Sequence, residues 1–344
     1  MVKQYLNNLM GHFSSDLAMD LGTANTLIYI KEKGIVLNEP SVVTVNHDGS
    51  GVEAVGLDAK RMYGRTHAQL NAIRPMKDGV IADFDSTHRM ITHFIKKILK
   101  KYWFIKPRIV VGIPTCITQV EKKAVIDSAH MAGVRDVYLV EEPMAAAVGV
   151  GIPVHKAEGN MVVDIGGGTS DVAVISLSAI AHGESVRVGG DEIDEAIVRH
   201  MRINHHLNIG VFAGERAKIE AGSAYRLKKK LTTNVKGLDI QTGTPTSVVV
   251  DDKEIREAIN EPLSTIITVI MRTLEKTSPE LSADIHSNGI YLTGGGALIR
   301  GLDKLIEEKT TLKAYIPNDP LLSIVKGTGK ILDNFEEMKK VCVA

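Results

Sequence analysis

Short apolar runs alternate along this chain with longer stretches whose apolar residues recur every three or four positions, the pattern of strands and helices in turn. Two of the short runs, Asp16-Leu17-Ala18-Met19 and Met161-Val162-Val163, each deliver an aspartate to a strand end. Asp20-Leu21-Gly22-Thr23-Ala24-Asn25-Thr26 follows the first, and Asp164-Ile165-Gly166-Gly167-Gly168-Thr169-Ser170 follows the second. Each then enters a second apolar run, Leu27-Ile28-Tyr29-Ile30 or Val172-Ala173-Val174-Ile175, which predicts two β-hairpins with polar tips.

Between and beyond the hairpins the alternation predicts an α/β fold. Met90, Ile91, Phe94, Ile95 and Ile98 mark an amphipathic helix over 86–101 that Asp85 or Ser86 would cap. Arg108 to Ile113 reads as a buried strand stopped by Pro114, followed by a helix over 119–132 and a strand at Val137 to Val140. Glu142-Pro143-Met144-Ala145-Ala146-Ala147 opens a helix whose small residues would pack closely on the sheet. Further on, the pattern predicts a strand over 185–188, a helix over 192–204, one continuous helix over 252–276 and a strand at Ile290 to Leu292.

The residue types at the two turns suit phosphate. Glycine lets the backbone approach an anion with no Cβ in the way, successive amides point into one concavity, and threonine or asparagine adds donors. Asp20 and Asp164 are negative and suit a Mg²⁺ ion held largely through water. A third glycine cluster, Thr293-Gly294-Gly295-Gly296-Ala297, strengthens a nucleotide reading, and no Walker-type phosphate loop is present.

Composition narrows the class. At 344 residues and 44% hydrophobic content the chain supports two sizeable cores. Lys plus Arg is 41 and Asp plus Glu is 41, so no net field draws nucleic acid. The densest basic run, Arg226 to Lys230, reads as a solvated helix face. Only Cys116 and Cys342 are present, in different regions, which argues against a disulfide framework and for a reducing compartment. No apolar stretch reaches the roughly 18 residues of a membrane span and no signal-peptide pattern opens the chain, so a cytoplasmic location is expected.

Four segments carry a more specific likeness: 20–27, Gly34-Ile35-Val36-Leu37-Asn38-Glu39-Pro40-Ser41-Val42-Val43, Ile73-Arg74-Pro75-Met76-Lys77-Asp78-Gly79-Val80-Ile81-Ala82-Asp83, and 142–147. The chain resembles the actin, sugar-kinase and heat-shock-chaperone ATPase superfamily and, within it, the MreB family of bacterial actin homologues. The resemblance covers nearly the whole length. It implies an actin-like fold of two ribonuclease-H-like lobes, each with a small inserted subdomain. The first lobe core would take residues 14–38, 74–150 and 319–344, with its insertion at 39–73. The second would take 151–188 and 251–318, with its insertion at 189–250, and residues 1–13 would form an amphipathic tail.

The resemblance also implies roles. Gly22, Thr23, Ala24 and Asn25, with Gly166, Gly167, Gly168 and Thr169, match the two phosphate loops around ATP or ADP in the interlobe cleft, and Asp20 and Asp164 match the carboxylates that organise hydrated Mg²⁺. Glu121 matches the glutamate that positions the attacking water, with Thr169 as a second partner; from spacing alone Glu121 is equally a carboxylate at a helix N-terminus. Glu215, Arg216, Ala217 and Lys218 match the segment approaching the nucleoside, and Gly294, Gly295, Gly296 and Ala297 the adenine-side loop. Ala217 and Ala221 are smaller than is typical there and would loosen the base pocket. Slow hydrolysis would switch the state of self-assembled filaments, arranged as paired protofilaments on the inner face of the cell membrane. Transmembrane adaptors and cell-wall synthesis proteins would be partners in determining rod shape. A small-molecule kinase or a chaperone-type ATPase on the same scaffold is the alternative.

Aromatics make up 4% of the chain, yet Tyr102, Trp103 and Phe104 stand together before Ile105. They suit either a helix end tucked under the first lobe or a loop that enters a lipid interface, with Lys100, Lys101 and Lys106 meeting anionic headgroups. The resemblance favours the membrane loop. Val2, Leu6, Leu9, Met10 and Phe13 fall at helical intervals and suit either a second weak anchor or a frayed tail. His200, His205 and His206 lie near a predicted helix end with no carboxylate or cysteine at ligand spacing, and read as solvated histidines.

Overall fold

The two aspartate-bearing hairpins lie in separate five-stranded sheets, one in each of two units. A computed structural model describes residues 16–46, 51–65, 70–99, 106–115 and 117–343. The described residues of Met1–Pro153 and Leu322–Ala344 form one unit and Val154–Leu321 the other.

In the first unit, β1 (Leu17–Leu21), β2 (Asn25–Ile30) and β3 (Gly34–Pro40) form an antiparallel meander. Next come β4 (Val43–Asn46), β5 (Val52–Val55), α1 (Leu57–Met62) and β6 (Leu70–Ile73), whose strands make a small sheet in the order β5-β4-β6. A ribbon of β7 (Met76–Lys77) and β8 (Val80–Ile81) precedes α2 (Phe84–Leu99). The carboxylate of Asp83 accepts the Ser86 amide at 2.7 Å, so the cap of α2 lies ahead of the predicted Asp85 or Ser86. β9 (Arg108–Ile113), α3 (Gln119–Met131), β10 (Asp136–Glu141) and α4 (Glu142–Val150) follow. β9 runs parallel to β1 and β10 parallel to β9, completing the order β10-β9-β1-β2-β3.

The second unit repeats that sheet strand for strand. β11 (Asn160–Ile165), β12 (Ser170–Ser176) and β13 (Ala179–Val186) form the meander. α5 (Gly190–His205), β14 (Leu207–Asn208), α6 (Val211–Ala221), β15 (Thr232–Asp239) and β16 (Pro245–Asp251) follow, the strands making a second small sheet in the order β14-β15-β16. The basic run at Arg226 to Lys230 lies outside any helix, and Lys230 pairs with Asp251 at 2.9 Å.

The helix predicted over 252–276 is two helices, α7 (Asp252–Ala258) and α8 (Asn260–Lys276). Pro262 explains the break: it has no amide to donate, and its ring excludes an unbroken helix through the carbonyl four residues earlier, at Ala258. α9 (Pro279–Asn288), β17 (Ile290–Thr293), a 3₁₀ turn at Gly295–Leu298, α10 (Leu302–Thr310) and β18 (Ala314–Tyr315) complete the unit. β17 and β18 add in parallel beside β11, giving β13-β12-β11-β17-β18.

The chain then re-enters the first unit as α11 (Ser323–Asp333) and α12 (Phe335–Met338). The principal neighbour of α4 is α11, not the sheet on which its small residues were expected to pack. A Cβ on Gly149 would lie 1.9 Å from the Ser323 carbonyl oxygen, and one on Gly327 would lie 1.7 Å from that of Ala145. Only glycine at both crossings lets the two backbones approach this closely. Each unit has its own apolar core: Met19, Ile28, Phe94, Ile109 and Val111 in the first, Val163, Val172, Ile197, Ile266 and Leu292 in the second.

Candidate nucleotide site

In the first unit, Asp20 is the last residue of β1 paired with β9, opposite Gly112, and after Leu21 the turn from Gly22 to Ala24 follows. Two distant segments fasten this turn. The Ser41 hydroxyl donates to the Gly22 carbonyl at 2.7 Å and lies 2.9 Å from the Thr26 hydroxyl, while the Ser41 amide donates to the Ala24 carbonyl at 3.0 Å. The Gly79 amide donates to Thr23 Oγ1 at 3.1 Å. Ser41 and Gly79 were not read as site residues, although both fall in segments that carry the family resemblance.

Glu121 is carried by α3, which the chain enters from the end of β9. Because β9 runs parallel to β1, that entry is at the same edge of the sheet as Asp20. The structure gives Glu121 a capping role: its Oε2 accepts from the Thr118 amide at 2.8 Å and the Thr118 hydroxyl at 2.7 Å, and its own amide donates to Thr118 Oγ1 at 3.3 Å. This reciprocal pair satisfies two helix-end donors. Both Thr118 donors fall on Oε2, so Oε1 is not engaged by the cap.

In the second unit, Asp164 is 1% exposed and accepts from the Thr293 hydroxyl at 2.8 Å. Burial pushes its carboxyl up to about 7; the Thr293 hydrogen bond opposes this and the charge of Asp171 adds to it. The turn is closed by the Gly166 amide on the Thr169 carbonyl at 2.8 Å. Its Gly166 and Gly167 carbonyls accept from the Gly190 and Asp191 amides, at 3.0 and 2.7 Å, where α5 begins. The carbonyls are thus occupied on one side. Among the described residues the amides of Gly167 and Gly168 donate no hydrogen bond, and the same holds for Thr23 and Ala24 in the first turn. Unused turn amides of this kind take up water or an anion.

The predicted nucleoside and adenine-side residues join this second turn unevenly. Lys218 on α6 donates to the Gly190 carbonyl at 3.0 Å and pairs with Asp194 at 2.8 Å. Burial pushes the Asp194 carboxyl up to about 6, against the pull of Lys218. Arg216 is exposed, Glu215 is half-buried, and Ala217 and Ala221 lie in the core. Both alanines pack within the apolar core of the second unit. Gly294 has φ +78°, and a Cβ there would lie 2.3 Å from the Ile165 carbonyl oxygen; one on Gly296 would lie 2.2 Å from Ile165 Cγ2. The loop of Gly294, Gly295, Gly296 and Ala297 is thereby seated on the last residue of β11, next to the phosphate turn. Tyr102, Trp103, Phe104 and Ile105 and the tail at 1–13 lie outside the described residues.

In the first unit the Asp20 carboxylate, and in the second the Asp164 carboxylate with the Thr293 hydroxyl beside it, are hard oxygen donors of the kind Mg²⁺ takes.

A sheet built twice to one plan, with an aspartate and a glycine-bearing turn at the end of its central strand in each copy, defines an actin-like ATPase fold. The family model described as MreB/Mbl protein matches residues 14–340. The chain belongs to the MreB/Mbl family. It is 50% identical over 333 residues to the cell shape-determining protein MreB of Escherichia coli K12, covering 95% of this chain and 96% of that one. It is 44% identical over 328 residues to the cell shape-determining protein Mbl of Bacillus subtilis 168, covering 95% and 98%. Among solved structures, MreB5 of Spiroplasma citri bound to ADP superposes with a TM-score of 0.89 at 32% identity, covering 93% of this chain and 97% of that one. The MamK double helical filament superposes with a TM-score of 0.80 at 22% identity over 92% and 99%, a likeness of fold. The family is one of cytoskeletal proteins that determine cell shape.

Proposed function

We propose that this protein binds ATP and ADP with Mg²⁺ and assembles into nucleotide-dependent filaments that organise rod shape from the inner face of the cell membrane. The observation that carries the reading is the pair of turns, each with a buried aspartate at its base and two amides that no described residue uses. Thr23, Ala24, Gly167 and Gly168 would donate these amides to phosphate oxygens, and Asp20 and Asp164 would hold hydrated Mg²⁺, which neutralises phosphate charge. Family membership and the ADP-bound relative support the same ligand class.

Hydrolysis in this reading is positional and electrostatic. Glu121, through the oxygen its cap leaves unengaged, would orient the attacking water, with Thr169 as a second partner. Lys218 and the 294–297 loop would border the nucleoside. Membrane contact would come from the Trp103 and Phe104 region and the N-terminal tail. Among the described residues no helix is long and apolar enough to cross a membrane. Transmembrane adaptors and cell-wall synthesis proteins would connect the filament to shape.

Equilibrium binding of labelled ATP tests the site. Saturable, Mg²⁺-dependent binding of one nucleotide per chain, displaced by ADP, is expected; no binding would remove the proposal. Co-sedimentation with anionic liposomes tests the surface. Replacing Trp103 and Phe104 by serine is expected to abolish most pelleting with ATP binding intact, and unchanged pelleting would remove the aromatic anchor.

A further inference from the structure

The histidines near the end of α5 do have a carboxylate partner, brought in from a distance. Glu254, in the first turn of α7, places Oε1 3.0 Å from His200 Nε2 and in contact with His205 Nε2. One ligand atom from each of the three residues lies within 4.8 Å of the others. His206 stands apart: it caps α5 in the left-handed region, φ 52°, and its carbonyl accepts from Ile240.

The geometry points to a divalent transition-metal site of the zinc class formed by His200, His205 and Glu254. Three arguments support it. Two imidazole nitrogens and one carboxylate oxygen are a three-ligand zinc set, whereas Mg²⁺ favours oxygen alone. With metal–ligand bonds of about 2.0–2.2 Å, tetrahedral ligands stand roughly 3.3 Å apart, a separation reached by a slight opening of the 3.0 Å His200–Glu254 approach and a larger one of the closer His205–Glu254 contact. The side chains are 14%, 25% and 26% exposed, so an ion can enter and keep water as a fourth ligand.

A metal-binding Nε2 must be unprotonated, which puts the proton of His200 on Nδ1. The Asn204 side-chain nitrogen lies 3.1 Å from both Nδ1 and Nε2 of that ring, so an ion at Nε2 requires Asn204 to turn away from it. The ion would join the end of α5 to the start of α7. The opposite end of α5 carries the Gly190 and Asp191 amides that hold the second phosphate turn, so the site is separate from the nucleotide residues.

Titration of Zn²⁺ into chelator-stripped, nucleotide-free full chain, with excess Mg²⁺ present, tests the site. One equivalent is expected to bind, and Co²⁺ in its place is expected to give the intense visible bands of a tetrahedral centre. His200→Gln, His205→Gln and Glu254→Gln should each weaken Zn²⁺ binding by about 100-fold and abolish the rise in thermal midpoint that Zn²⁺ gives the parent. Circular dichroism and retained ATP binding check that each variant is folded; if one single variant is not, the others carry the test. Zn²⁺ binding that persists in a folded His200→Gln variant, weak octahedral Co²⁺ bands, or no bound Zn²⁺ would overturn the site and leave two histidines hydrogen-bonded to one carboxylate.

Discussion

The hydroxyl of Ser41 donates to the carbonyl of Gly22 at 2.7 Å, so a residue just past β3 fixes the backbone of the turn after β1. The same hydroxyl meets buried Thr26, and both side chains are fully removed from solvent. Ser41→Ala leaves those groups without this partner. A loss of about 1 kcal/mol in stability is expected, together with several-fold weaker ATP binding because the turn amides are no longer held in place. Denaturant unfolding and nucleotide titration read the two effects, and unchanged affinity would show that Ser41 does not shape the turn.

Glu121 combines a capping role seen in the structure with a proposed catalytic one, and two substitutions separate them. Glu121→Ala should lose most phosphate release and about 1 kcal/mol of stability. Glu121→Gln keeps an oxygen for the cap, since glutamine also serves in a capping box, and should restore stability without restoring turnover. Phosphate release at the parent rate in the glutamine variant would confine Glu121 to capping.

Asp164 makes the nucleotide-free protein sensitive to pH. Its folded value of about 7 lies above the ordinary 3.8, so the folded state holds a proton that the unfolded state releases. This contribution to stability is full below the unfolded value and is lost as pH rises through about 7. The thermal midpoint should therefore fall between about pH 5 and about pH 8, and Asp164→Asn should flatten that fall. Binding of the Mg²⁺ nucleotide requires the ionised carboxylate, so affinity should rise over the same window with release of a proton. Calorimetry in buffers of different ionisation enthalpy measures the proton, and affinity that falls with rising pH would contradict the assignment.

Gly327→Ala tests the contact between α4 and α11. The added methyl would lie 1.7 Å from the Ala145 carbonyl oxygen, and that atom is backbone. A loss of about 3 kcal/mol is expected, the upper part of the range for overpacking. Chemical denaturation checks it, and a neutral result would mean that the helices separate at little cost.

Local pattern made both hairpins, the strand before Pro114 and the helix of Glu121 legible, because turn glycines and apolar period act over a few residues. Contacts between distant segments were less accessible. The fit of Gly149 and Gly327 joins α4 to a helix from the far end of the chain. Glu254 reaches histidines that precede it by about fifty positions, and their five-residue spacing is not the three or four that puts ligands on one helix face. The break before α8 was readable from Pro262, yet its apolar stripe continues across it and masks the proline's effect. For the nucleotide residues, local sequence marked the turns themselves but not Ser41 and Gly79, which hold the first one from outside.

Electron microscopy of the full chain on anionic liposomes, with Mg²⁺ and either ATP or no nucleotide, tests the central claim most directly. Filaments on the lipid with ATP and none without it are the predicted result. Dispersed chains that still hydrolyse ATP would contradict it and bring forward the kinase or chaperone reading of the same scaffold.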